Sequence, residues 1–217
     1  MSFSSYRAFL FDMDGTILTS IAAAERVWSA WARKHGIDPA VLLSTAHGVR
    51  AEETIARQRL AGIDVHLEAQ AVTAAELEDM EGVEAIAGAK SFIGSLPPDK
   101  WAVVTSAPRE LARRRIQVAG LPMPAVLVSA EDVASGKPSP EGYALAANLL
   151  GVVPGDCLVF EDAPAGILAA EAADAEVCVI TSAHARETDY SPHMSIPDYV
   201  SLRCVEDQGG RFRLIAG

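Results

Sequence analysis

Positive charge is scarce in this chain. Its 18 Lys and Arg face 29 Asp and Glu, a formal net charge of −11 over 217 residues. That balance excludes a general nucleic-acid or anionic-membrane binder, both of which need a positive surface. Long apolar runs are missing as well: stretches such as the one ending at Phe11 fall far short of the ~20 residues a membrane span requires. Met1 to Tyr6 carries neither the charged nor the apolar segment of a secretory signal, so a cytoplasmic location is expected. Cysteine is sparse, and Cys157, Cys178 and Cys204 lack metal-ligand spacing. This argues against a disulfide framework or a cysteine zinc site and for buried thiols. Aromatics are only 6% while alanine is abundant, which favours helices over an all-β chain.

What is present is alternation. Tyr6 to Phe11, Trp101 to Thr105, Ala125 to Ser129, Cys157 to Glu161 and Val177 to Thr181 are short apolar runs bounded by Asp, Gly, Pro or Ser. Such runs suit strands buried on both faces of a parallel sheet. Arg109 to Ala119, Pro140 to Leu150 and Ala165 to Ala173 read as helices between them. The pattern predicts a doubly wound, Rossmann-like α/β core. Between the first run and Trp101 lies a segment, Leu18 to Gly88, that reads as helices only: Ile21, Ala24, Val27, Trp28 and Trp31 repeat at helical spacing, and Glu52 to Ala61 and Leu67 to Met80 follow. A βα crossover needs only about a dozen residues. The expected organisation is therefore a core of residues 1–17 and 89–217 with an inserted all-helical cap, 18–88. The tryptophans fall on the apolar stripe and are expected in the cap's own core. Leu202 to Val205 and Arg211 to Ile215, around Gln208-Gly209-Gly210, suggest a hairpin.

Ligands of open parallel sheets bind at the carboxyl ends of the strands, so the residues standing there matter most. After the first run come Asp12-Met13-Asp14-Gly15-Thr16; after the second, Thr105-Ser106; after the third, Gly136-Lys137-Pro138; at the fourth, Glu161-Asp162 with Gly166 close behind. So many acids in one place need a cation. Oxygen ligands of this kind suit Mg²⁺, which takes one or two carboxylates and phosphate oxygens, while the lysine and hydroxyls suit a phosphoryl group.

Phe9-Leu10-Phe11-Asp12-Met13-Asp14-Gly15-Thr16, Val104-Thr105-Ser106, Gly136-Lys137-Pro138 and Phe160-Glu161-Asp162-Ala163-Pro164-Ala165-Gly166 resemble the four motifs of the haloacid dehalogenase-like superfamily. Glu25-Arg26, Ala46-His47-Gly48 and the Trp101 to Ser106 run resemble bacterial hexose and hexitol phosphate phosphatases, with glycerol-phosphate and 2-deoxyglucose-6-phosphate phosphatases as cousins. The resemblance implies a Mg²⁺-dependent phosphatase of small sugar or polyol phosphates. In it Asp12 would be the nucleophile forming an aspartyl-phosphate and Asp14 the general acid and base. Asp12, the Asp14 carbonyl and Asp162 would hold magnesium, with Glu161 a direct or water-mediated partner. Thr105, the Ser106 N–H and Lys137 would bind the transferred group.

The cap should read what the phosphate is attached to. His47, Gly48 and Arg50 form its candidate loop, with Arg50 reaching sugar oxygens or phosphate, or else solvated beside a helix end; Glu25 could accept from sugar hydroxyls or be a surface charge. The rival is a phosphomutase of the β-phosphoglucomutase type. That family carries a cap histidine twelve residues after its nucleophile, where this chain has Ala24. Asp14 disfavours a non-catalytic binder, which needs no general acid, and also halide displacement, whose enzymes lack that carboxylate. A monomer is expected, since the chain's own cap would close its site.

Overall fold

The computed structural model describes residues 5–46, 48–182 and 192–216. In chain order, β1 (Ser5–Tyr6), β2 (Ala8–Phe11) and β3 (Leu18–Thr19) lead into four helices, α1 (Ile21–Lys34), α2 (Pro39–Ala46), α3 (Ala51–Arg57) and α4 (Val65–Glu78). Next come β4 (Glu84–Ala85), α5 (Ala89–Gly94), β5 (Trp101–Val104), α6 (Arg109–Val118), β6 (Val126–Val128) and α7 (Glu141–Leu149). β7 (Cys157–Glu161), α8 (Pro164–Ala172), β8 (Glu176–Ile180), β9 (Met194–Ile196), β10 (Leu202–Glu206) and β11 (Phe212–Ala216) follow.

Six parallel strands form the main sheet in the order β6, β5, β2, β7, β8, β9. The chain winds outward from β2 in one direction through β5 and β6, and in the other through β7, β8 and β9. The order thus reverses at β2, and a crevice opens where the carboxyl ends of β2 and β7 lie side by side. Strand alternation explains the continuous apolar runs. Phe9, Phe11, Val103, Leu158 and Phe160 pack on one face with α5 and α6, while Ala8, Leu10, Ala102, Val104 and Val159 pack on the other with α7 and α8. Phe11 and Phe160 pair in register and stack with ring centroids 4.8 Å apart, which fixes the two strand ends immediately before Asp12 and Glu161.

The inserted helices form a cap with a core of its own, in which Trp28 and Trp31 are buried with Leu42, Ile55 and Val72. Reading Leu18 to Gly88 as helices only needs correction: β3 and β4 pair antiparallel, Leu18 with Ala85 and Thr19 with Glu84, and tie the two ends of the insertion together. Two-residue strands carry no periodicity to detect. The cap also has a further helix, α2, which opens on Pro39, a favoured first position. The expected tail hairpin is present as β10 and β11. Ser5–Tyr6 joins it by pairing with β11 and does not extend β2; between the two strands the Arg7 N–H donates to the Asp156 carbonyl at 2.7 Å.

Among the described residues no helix is long and apolar enough to cross a membrane. Cys157 and Cys178 are buried and Cys204 partly so. Burial pushes the first two thiols up to about 12 and the third to about 11. Thiolate is the reactive form, so at pH 8 a disulfide reagent such as DTNB is expected to find no fast-reacting thiol in the folded protein and all three after denaturation.

Candidate active site

The turn after β2 is built around Gly15, whose φ of +88° suits glycine, and whose Cβ would lie 2.0 Å from Asp162 Oδ2. Glycine here therefore serves both the turn and the close approach of Asp162. Thr16 Oγ1 lies 3.0 Å from Asp12 Oδ2 and 3.2 Å from Asp162 Oδ1, so its single proton is shared between the carboxylates of two strand ends.

Lys137 arrives from the loop before α7 and donates to Asp12 Oδ1 at 2.5 Å, Glu161 Oε1 at 2.7 Å and the Val104 carbonyl at 3.3 Å. Three ammonium protons meet three acceptors. Burial pulls this ammonium down, but Asp12 and Glu161 together outweigh it and hold the group above its ordinary value. Glu161 is enclosed more completely. Its Oε1 accepts from Lys137 and from the Tyr143 hydroxyl at 2.9 Å, and its Oε2 from the N–H groups of Asp162 and Ala163 at 2.8 and 2.9 Å. The lysine also sits over the Tyr143 ring, 5.2 Å from its centroid. Gly166 makes room for this carboxylate: a Cβ there would lie 1.5 Å from Glu161 Oε1. Gly166→Ala is accordingly expected to cost about 1–3 kcal/mol by overpacking, read by chemical denaturation, and to lower activity with it.

Asp12, Glu161, Asp162 and Lys137 are each at most 6% exposed. Three buried carboxylates thus share one ammonium. Burial first, then Glu161, pushes the Asp12 carboxyl well above its ordinary range, with Lys137 opposing. Asp12, Glu161 and Asp162 each offer an oxygen within 4.8 Å of the others. This donor set, all oxygen and two charges short of neutrality, fits a hard divalent cation. Because four donors already engage Glu161, Asp12 and Asp162 are the better placed of the three to ligate it.

A cavity of about 110 Å³ lies over this cluster, between core and cap. Asp12, Asp14, Thr105, Ser106 and Asp162 line it from the core, and Glu25, Gly48 and Glu76 from the cap. Asp14 Oδ1 accepts from Ser20 Oγ at 2.5 Å and from Arg115 Nη1 at 3.1 Å. Ser20 stands at the N-cap of α1 but makes no side-chain cap bond. Thr105 Oγ1 accepts from the Ala107 N–H at 3.1 Å, and Ser106 Oγ donates to the Gly48 carbonyl of the cap at 2.8 Å.

Most of the residues singled out in the sequence converge here. Glu25 is exposed on the cavity wall. Arg50 is turned elsewhere: it pairs with Glu53 at 2.6 Å and donates to the Val133 and Ala134 carbonyls at 3.4 and 3.2 Å, lining a second, smaller cavity beside Lys137. His47 lies outside the described residues. Tyr143, Ser20, Arg115 and Glu76 were missed, as was any role for Thr16. Thr16 alone had a local signal, its place in the Asp-rich turn.

This acidic cluster stands at the switch point of a parallel sheet, under an inserted helical cap, which defines a capped, Rossmann-like α/β protein with a candidate divalent-cation site. The family model for haloacid dehalogenase-like hydrolases matches residues 6–174, and the chain belongs to that family. It is similar to hexitol phosphatase A of Escherichia coli (strain K12), 42% identical over 181 residues, which cover 81% of this chain and 83% of the relative. It is also similar to validoxylamine A 7'-phosphate phosphatase of Streptomyces hygroscopicus subsp. limoneus, 36% identical over 206 residues, 91% and 96% of the two chains. Among solved structures, β-phosphoglucomutase from Clostridium difficile superposes with a TM-score of 0.79 over 91% of this chain and 93% of that one, at 18% identity. That likeness speaks for the fold alone.

Proposed function

We propose that this protein is a Mg²⁺-dependent phosphomonoesterase acting on small sugar or polyol phosphates, with residues 1–17 and 89–217 as catalytic core and 18–88 as the cap that selects the leaving group. One observation carries the reading: Asp12 is buried with Lys137 on one oxygen and Thr16 beside the other, while Asp14, two residues on, lines the cavity where a leaving group would lie. The names of the sugar- and polyol-type relatives support the substrate class.

In this reading an Asp12 oxygen attacks phosphorus, the bond from phosphorus to the ester oxygen breaks, and Asp14 gives its proton to the departing alkoxide. Asp14 then takes a proton from water, which attacks the aspartyl-phosphate, releases inorganic phosphate and restores the Asp12 carboxylate. Thr105 and the Ser106 N–H orient the phosphoryl oxygens, and Lys137 offsets charge at Asp12. Asp12, Asp162 and the Asp14 carbonyl would hold magnesium, which when bound supplies positive charge for the nucleophile and the phosphoryl oxygens. Glu161 serves from behind, orienting Lys137.

A panel of sugar and polyol phosphates, assayed with Mg²⁺ and with EDTA, tests this. Phosphate release that needs the metal is expected; release from none of them contradicts the reading. Conversion of glucose 1-phosphate to the 6-phosphate without release would point instead to the mutase, whose cap histidine is replaced by Ala24 on the cavity wall.

A further inference from the structure

The cavity holds a charged pair that the phosphoryl chemistry leaves unused. Arg115, on α6 of the core, and Glu76, on α4 of the cap, are 5% and 7% exposed and both line the cavity. Arg115 Nη2 donates to Glu76 Oε1 at 3.0 Å while Nη1 holds Asp14; its Nε is buried without a partner. The guanidinium therefore fixes Glu76 relative to the residue that would protonate the leaving group. Glu76 Oε2 takes no hydrogen bond among the described residues.

Charge on this wall is one-sided. Beyond Asp12 and Asp162, the lining carries Asp14, Glu25 and Glu76, and its only cation among the described residues is Arg115, already engaged by two carboxylates. Two further cations stand nearby: Arg50 is committed to Glu53 and two carbonyls, and Lys137 to Asp12, Glu161 and the Val104 carbonyl. Among the described residues a leaving group with its own negative charge finds no uncommitted counter-ion here, whereas a hydroxyl finds an acceptor.

Resting on the phosphatase reading above, we propose that Glu76, positioned by Arg115, is the specificity-determining residue of the cavity: it accepts a hydrogen bond from a leaving-group hydroxyl and repels leaving groups bearing a carboxylate or a second phosphate.

Glycerol 3-phosphate and 3-phosphoglycerate are suitable probes, three-carbon monoesters ending in a hydroxymethyl and a carboxylate respectively. The wild type is expected to favour the first in kcat/KM by about tenfold or more, as unlike partners are separated by like-charge repulsion. Glu76→Gln is isosteric, and its amide oxygen can still accept from Arg115. It is expected to shrink that preference by about tenfold, mainly by letting 3-phosphoglycerate bind more tightly, while Glu76→Asp, which keeps the charge, retains it. An unchanged preference in Glu76→Gln, or equal loss in both variants, overturns the proposal. Should the glutamine variant fail to fold by circular dichroism, the two probes are compared as inhibitors of p-nitrophenyl phosphate hydrolysis by the wild type and Glu76→Ser; weaker inhibition by 3-phosphoglycerate that is lost in the variant upholds the proposal, and equal inhibition of the wild type or a difference unchanged in the variant overturns it. A wild type that hydrolyses none of the three esters overturns the phosphatase reading itself, a result separate from a lost or kept preference.

Discussion

Asp12→Asn is expected to abolish phosphate release from every substrate, a loss on the order of 10⁶ in kcat, the scale set by removing a covalent nucleophile. The amide lacks the charge to attack phosphorus, and the neighbouring Glu161 is no substitute because four donors hold its two oxygens. The fold should survive. Asparagine has the same shape, Lys137 keeps Glu161 and the Val104 carbonyl as acceptors, and Thr16 can donate to the amide oxygen. Three buried carboxylates become two, so part of the repulsion that pushes Asp12 up disappears. The thermal midpoint is therefore expected to hold or rise as activity vanishes. An active variant would place the nucleophile elsewhere; an inactive but destabilised one would leave the loss attributable to misfolding.

Asp14→Asn should produce the second-largest effect, and one that depends on the leaving group. A sugar alkoxide needs a proton as it departs, so kcat on sugar phosphates is expected to fall by about 10²–10⁴, the usual worth of a general acid. Nitrophenolate departs without a proton. With p-nitrophenyl phosphate the first step should persist while hydrolysis of the aspartyl-phosphate, which needs Asp14 as base, slows. Stopped-flow absorbance should then show a burst of one nitrophenolate per enzyme followed by a slow phase. Equal losses on both substrates, with no burst, would show that Asp14 holds structure through Ser20 and Arg115 and does not move protons.

Legibility of this site in the sequence depended on whether a residue's position was set locally. Asp12, Asp14, Lys137, Glu161 and Asp162 end or follow apolar runs, and polar residues in such places have few structural reasons to be there, so the strand order brought them together predictably. Tyr143 lies in a helix whose apolar face packs on the sheet, where an aromatic reads as core; only the packed structure brings its hydroxyl to Glu161. Arg115 is the last of three consecutive arginines, Arg113 to Arg115, and Glu76 is one of several acids before Met80. Which of each group turns inward is decided by how α4 meets α6, a tertiary contact with no local trace. Arg50 shows the opposite case: its loop pattern suggested a ligand contact, and the fold instead sets it against the carbonyls of the Val133–Ala134 loop.

The central claim, that Asp12 itself carries the phosphoryl group, is most directly tested by trapping it. Wild type and Asp14→Asn are mixed with p-nitrophenyl phosphate and Mg²⁺, quenched in acid during turnover, reduced with borohydride and digested. The account predicts that mass spectrometry finds homoserine in place of Asp12, the product of reducing an aspartyl-phosphate, in greater yield from Asp14→Asn because that variant clears the intermediate slowly. Sustained phosphate release with Asp12 unmodified in both proteins would contradict it.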